Sequence, residues 1–130
     1  MDGEEGRLIE GRLTQQVIGG FYAVYNELGP GFLESVYVNA MVIALGELGL
    51  KAAREVPLEV RFRSKVVGQF RADLLVEGRL ILEVKAVSHL AIPHEVQLVN
   101  YLRATGIQVG LLLNFGPRAE LRRRVLQTDD

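Results

Sequence analysis

The chain has no cysteine, which excludes a disulfide framework and a thiolate metal site. No apolar run approaches the roughly 18 residues that a membrane-spanning helix needs. The opening stretch, MDGEEGRLIEGR, is charged where a secretory signal would be apolar, so the expectation is a soluble cytoplasmic protein with no membrane partner. Net charge is scarce too: at −1 the chain has no bulk basicity, and any nucleic-acid surface must be local. Lysine is rare, with Lys51, Lys65 and Lys85 set against twelve arginines. Aspartate is rarer inside the fold. Asp2, Asp129 and Asp130 sit at the ends, so Asp73 is the one interior aspartate against twelve glutamates. A bias towards Arg codons accounts for the first imbalance, but not for the exceptions at 73 and 85 bracketing one hairpin.

With 130 residues, 48% apolar and 24% charged, the chain reads as one globular domain over 1–130, with residues 1–11 as a flexible arm. It has no internal repeat or low-complexity tract. From Thr14, a candidate N-cap, Val17, Phe21, Val24 and Leu28 recur at helical spacing until Gly29-Pro30-Gly31 stops them. Gly19-Gly20 within this helix marks close packing. A second helix is expected from about Leu33 to Leu48, ended by Gly49.

The period then changes from near 3.6 to 2. Val56, Leu58, Val60 and Phe62 alternate with charged residues as in a half-buried strand. KVVGQFRADLLV and RLILEVKAV give two more strands, near 65–76 and 79–87, and IQVGLLLNF reads as a central one. Between them a third helix, about Pro93 to Ala104, has Val96, Leu98, Val99 and Leu102 around most of its circumference and should be well buried. The arginine-rich tail from Pro117 is expected to be a short surface helix. The order is α-α-β-β-β-α-β-α, an α+β fold with a mixed sheet and the third helix as a crossover. The first helix and the tail are the surfaces a homodimer could use.

The hairpin DLLVEGRLILEVK puts charge where strands should be greasy. Glu83 and Lys85, two apart, share a sheet face. A two-residue loop at Glu77-Gly78 would pair Asp73 with Leu82 and turn it away from them. A three-residue loop, Val76-Glu77-Gly78 with Gly78 at positive φ, pairs Leu75 with Arg79 and Asp73 with Ile81, which puts Asp73 on the face of Glu83 and Lys85; this is the register expected. Two carboxylates and an ammonium on one face suit Mg²⁺ or Mn²⁺, which take one or two carboxylates plus water and phosphate. With the cation polarising phosphate and the ammonium serving the attacking water, this would be a phosphodiester-hydrolysis site. An isolated E-x-K is nonetheless far more often a solvated strand face.

Other residues bear on that choice. Glu34 and Tyr37 lie at i and i+3 of the second helix, and Gln97 and Tyr101 at i and i+4 of the third. Each pair alone reads as a core hydrogen bond. His89 and His94, the only histidines, lack a third partner at ligand spacing and are read as surface or capping residues.

Taken together, ELGPGFLESVY, REVPLEV, FRADLLV, LEVKAV, HEVQLVNYL and VGLLLNFG, between about Leu13 and Phe115, resemble the bacterial GxxExxY proteins of the PD-(D/E)xK nuclease superfamily. The resemblance implies a restriction-endonuclease-like αβββαβ core with extra terminal helices. It implies that Asp73 is the metal-binding aspartate of the second strand, Glu83 and Lys85 the E-x-K of the next, and Glu34 the acidic residue of the preceding helix. Gln97 and Tyr101 are similar to the Q-x-x-x-Y element of RecB-like members. The catalytic set so implied is Glu34, Asp73, Glu83, Lys85, Gln97 and Tyr101, with Asp73, Glu83 and Glu34 as ligands to Mg²⁺ or Mn²⁺. The proline that names the superfamily does not precede Asp73, which follows Arg71-Ala72. The implied function is a metal-dependent nuclease, on DNA in preference to RNA. The alternative is a catalytically idle nucleic-acid- or partner-binding domain on the same fold.

Overall fold

The computed structural model describes residues 9–126. Most of the arm expected over 1–11, and the aspartates at 2, 129 and 130, lie outside the described residues. The elements are α1 (Gly11–Leu28), α2 (Glu34–Glu47), β1 (Ala52–Phe62), β2 (Lys65–Val76), β3 (Leu80–Lys85), α3 (Ile92–Thr105), β4 (Val109–Phe115) and β5 (Ala119–Val125). The five strands form one mixed sheet in the order β1-β2-β3-β4-β5. All neighbours are antiparallel except β3 and β4, which α3 joins as a parallel crossover. This is the α+β architecture with a mixed sheet that the sequence periods implied, and it is consistent with the restriction-endonuclease-like core that the resemblance implied.

Four local expectations are corrected. Thr14 is not an N-cap: α1 starts a turn earlier, because Leu13 extends the apolar stripe of Val17, Phe21 and Val24. Thr14 is buried at the end of the first turn, its hydroxyl without a partner among the described residues. Nor is α1, one of the surfaces a homodimer could use, exposed all round. Its apolar face is buried, and a Cβ at Gly20 would lie 3.2 Å from Leu45 Cδ2, as close helix packing requires. The tail is strand β5, not a surface helix. Ala119, Leu121 and Val125 alternate onto the core at period 2, a pattern hidden by the intervening arginines. This strand is what makes β4 central, and all seven residues of β4 are buried. Finally, α3 is only half covered. Leu98, Tyr101 and Leu102 face the sheet, while Ile92 and Val96 stay 75% and 51% exposed.

The sheet separates two cores. α1 and α2 pack over Leu74, Val76, Leu80, Leu82 and Val84 on one face. On the other, α3 packs over Leu58, Ala72, Ile81 and Leu112. It comes close enough there that a Cβ at Gly110 would lie 2.6 Å from Leu98 Cδ1. Ala72 and Leu74 would share a face of a regular strand, yet they enter opposite cores. The change falls at Asp73, opposite Glu55, which adopts a left-handed φ of 51° where the ladder skips from Arg54↔Leu74 to Val56↔Ala72. Beyond Leu58 the β1–β2 hairpin projects past the core, leaving Phe62 59% exposed.

Candidate active site

The β2–β3 hairpin closes through three residues, and Gly78 has φ 68°, as expected. The loop itself is shifted. Val76 pairs with Leu80 and Leu75 with Ile81, so the loop is Glu77-Gly78-Arg79 and the register moves by two residues. The cause is an anchor outside the hairpin. The backbone N–H of Glu77 donates to Lys51 O (2.8 Å), the Lys51 N–H donates to the Glu77 carboxylate (2.7 Å), and Glu77 itself takes φ 54°. Because the shift is even, side-chain parity survives, and Asp73 lies on the face of Glu83 as expected.

The β2–β3 ladder stops at Leu74↔Leu82. Past that point carboxylates take the place of carbonyls. The Asp73 N–H donates to Glu83 Oε2 at 3.0 Å, and the Val84 N–H donates to Asp73 Oδ2 at 2.7 Å. The two strands therefore splay into a fork with an acidic side chain on each prong. Each carboxylate is held by one of its oxygens, leaving Asp73 Oδ1 and Glu83 Oε1 outside these contacts.

This is an uncomfortable place for negative charge. Glu83 is only 3% exposed. Burial, reinforced by the neighbouring Asp73, pushes its carboxyl from 4.5 up to about 8, against the Asp73 amide and Lys85, which pull it down. Asp73 is raised as well, chiefly by burial and to a smaller degree by Glu55, while the Val84 amide and Lys85 oppose the shift. Two desolvated carboxylates sharing one cleft form a hard-oxygen donor set that lacks positive charge. A divalent cation satisfies that demand with water and phosphate completing its shell, so the donor set fits Mg²⁺ or Mn²⁺.

The remaining candidates divide. Lys85 is half-buried at the end of β3, close enough to lower both carboxyls. Tyr101 faces the fork from α3, and its hydroxyl is raised by burial and then by the charges of Glu83 and Asp73. Gln97, one turn earlier, is half-buried and lines the groove beside α3. Glu34 is exposed in the first turn of α2, where the helix dipole favours an acid. Its charge acts on the Glu83 carboxyl more weakly than those of Asp73 and Lys85, and no three acidic or histidine side chains among the described residues gather as a metal site. Tyr37 parts company with Glu34. It is fully buried, stacks on Phe115 at 4.3 Å, donates to Gly29 O (2.6 Å) and accepts from the Phe32 N–H (3.1 Å). It thus fixes the loop that delivers the start of α2. His94 is a capping residue: its Nδ1 accepts the Ala91 N–H at 3.0 Å.

Sequence reasoning missed three supports. Asn114, fully buried on β4 opposite Lys85, accepts the Val87 N–H (2.9 Å) and donates to Val87 O and to Glu120 (both 2.9 Å). Glu120 also accepts the Leu90 N–H (3.1 Å), and these donors hold its carboxyl below the usual range. Gly116 lets the same segment approach, since a Cβ there would lie 2.1 Å from Val87 O. Together they tie the chain just after Lys85 to β4. An amide inside the apolar run GLLLNF was the available signal, because a buried amide must find partners. Tyr25, which had no expected role, donates to Gly116 O (2.8 Å) in the same region.

Residues 11–125 match the model of the PD-(D/E)XK nuclease superfamily, and the chain belongs to that superfamily. A search of curated proteins returns no match. Among solved structures the fold is similar to that of SSO0001, with a TM-score of 0.54 and 22% identity over 92% of this chain. This chain spans 61% of that one's length, and the likeness is one of fold.

Proposed function

We propose that this member of the PD-(D/E)XK nuclease superfamily hydrolyses phosphodiester bonds in nucleic acid, with Asp73 and Glu83 holding Mg²⁺ or Mn²⁺ in the fork between β2 and β3. The observation that carries the reading is the pair of desolvated carboxylates, each fixed through one oxygen by the other strand's backbone. Such a fork is unfavourable unless a cation enters it. Bound there, the cation would supply Lewis-acid stabilisation of the phosphate and a more acidic water.

The chain's own residues have separable parts. Asp73 and Glu83 bind through their free oxygens, their orientation set by the Val84 and Asp73 amides. Lys85 sits beside them, where its ammonium orients the attacking water and offsets negative charge developing on the phosphate. Glu34, exposed at the start of α2, would be the third acidic group of the site. Tyr101 and Gln97 offer a hydroxyl and an amide from α3 to the substrate. The resemblance of GFLESVY to the GxxExxY proteins, and of Gln97 and Tyr101 to the RecB-like element, supports placement in that branch and DNA in preference to RNA.

A second reading, a nucleic-acid- or partner-binding domain with an idle site, is favoured by one observation: among the described residues no third acidic or histidine side chain joins Asp73 and Glu83. Calorimetric titration with Mn²⁺, followed by incubation with single- and double-stranded DNA and RNA, separates the two. Binding with cleavage supports the nuclease. Binding without cleavage across the panel leaves the idle domain, and absence of binding removes both.

A further inference from the structure

A groove that the two carboxylates do not account for runs along the side of α3 that carries Gln97 and Tyr101. It lies between the β1–β2 hairpin and α3 and encloses about 1200 Å³. That is more than a typical small-ligand pocket of about 300–1,000 Å³. Four large apolar side chains line it while remaining exposed: Val67 at 62%, Phe70 at 45%, Ile92 at 75% and Val96 at 51%. A contiguous exposed apolar surface of this kind marks an interaction site. The hairpin needs none of them for its own core, which lies at Leu58 and Ala72.

The chemistry of the lining narrows the occupant. The Phe70 ring stands 5.8 Å from that of Tyr101, inclined at 44°, and Tyr101 is the residue whose hydroxyl feels the Glu83 and Asp73 charges. An exposed aromatic face is therefore one side chain removed from the carboxylates. Gln97 and Asn100 add amides to the wall, and with Arg61 paired to Glu59 at 2.7 Å, Arg103 leaves the lining with a net positive charge. Apolar walls, an aromatic face, amides and guanidinium groups match a nucleotide strand, whose bases stack while its phosphates meet cations. Bases within a duplex are already stacked on one another, so a ring set inside a groove can serve only a base that has left the stack.

We propose that this groove holds an unpaired base of the strand being cut, stacked on Phe70, so that the substrate is single-stranded or locally opened nucleic acid. The inference rests on the nuclease reading for its orientation towards the fork, but its binding test does not depend on turnover.

The full chain is mixed with a fluorescent oligonucleotide in three forms, single-stranded, duplex and abasic, and binding is read by anisotropy in EDTA and in Ca²⁺. DNA and RNA strands are both used, since they share the stacking face. The single strand should bind at least about ten-fold more tightly than the duplex, Phe70→Ala should weaken it by about ten-fold or more, and Phe70→Trp should restore it. Both proteins should bind the abasic strand equally. Equal affinity for strand and duplex, an equal loss by Phe70→Ala on the abasic strand, or no binding of any strand overturns the proposal. Cleavage under Mn²⁺ is scored separately. A strand cut at wild-type rate by Phe70→Ala removes the groove and leaves the nuclease, whereas Phe70-dependent binding without cleavage does the reverse.

Discussion

Replacing Glu83 with glutamine should make the metal-free protein more stable, which is unusual for a change at a buried, hydrogen-bonded side chain. Below pH 4.5 the Glu83 carboxyl is protonated in both the folded and unfolded chains and carries no penalty. As the pH rises, the unfolded chain ionises first and the folded one holds its proton to about 8, so stability falls across that window and levels off above it. Each pH unit is worth about 1.4 kcal/mol, so the whole window costs the fold up to about 5 kcal/mol, shared with Asp73 because the two carboxyls titrate as a pair. Glutamine removes the charge and keeps an oxygen to accept the Asp73 N–H. At pH 9 in EDTA the variant should therefore gain about 2–5 kcal/mol, raising Tm by roughly 10 °C in a domain of this size. At pH 5 the difference should nearly vanish. Mg²⁺ should narrow that gap, since about 100-fold excess over Kd stabilises the wild type by roughly 2.7 kcal/mol and the variant by much less. Thermal unfolding at the two pH values, with and without Mg²⁺, reads all four states. A variant that is less stable at pH 9 in EDTA, or a Mg²⁺ response equal in both proteins, would refute the strained-fork reasoning.

Three further outcomes are expected. Lys85→Ala should leave Mn²⁺ affinity by calorimetry within about three-fold while lowering the cleavage rate by about 10²-fold or more, since an ammonium cannot ligate the cation; Lys85→Arg should keep the charge but not the rate. Tyr37→Phe should cost about 1–2 kcal/mol in urea unfolding, through loss of its bonds to Gly29 and Phe32, and an unchanged midpoint would remove its role as the tie behind α2. Gly116→Ala should destabilise by about 1–3 kcal/mol and slow cleavage as well, because the added Cβ must push the Val87 segment, and with it the end of β3, away from β4.

Much of this molecule was legible because its elements obey simple periods. The switch from 3.6 to 2 after Gly49 located the sheet, and the side-chain alternation of strands put Asp73 with Glu83 even though the loop was misplaced. The misplacement had a tertiary cause that local rules cannot contain: Glu77 is bonded to Lys51 across 26 residues of chain. Strand β5 escaped because LRRRV reads as a charged surface, although Arg123 lies on the core-facing side and reaches past it to Ile9 O. The exposed flank of α3 was also unforeseeable from periodicity. Val96 reads as core, and only the projecting β1–β2 hairpin turns it, with Ile92, into the wall of a groove. Glu55 carried no signal at all, since nothing in REVPLEV announces a left-handed residue opposite Asp73.

The central claim is that the Asp73–Glu83 fork cuts phosphodiester bonds. Its most direct test is the cleavage of an end-labelled single-stranded oligonucleotide by wild-type protein and Asp73→Asn, side by side, at saturating Mn²⁺ and in EDTA, with unfolding curves confirming that both proteins are folded. Cleavage by the wild type in Mn²⁺ alone, reduced by at least about 10³-fold in Asp73→Asn, is the expected result. Equal rates for the two proteins, or cleavage that persists in EDTA, would contradict it.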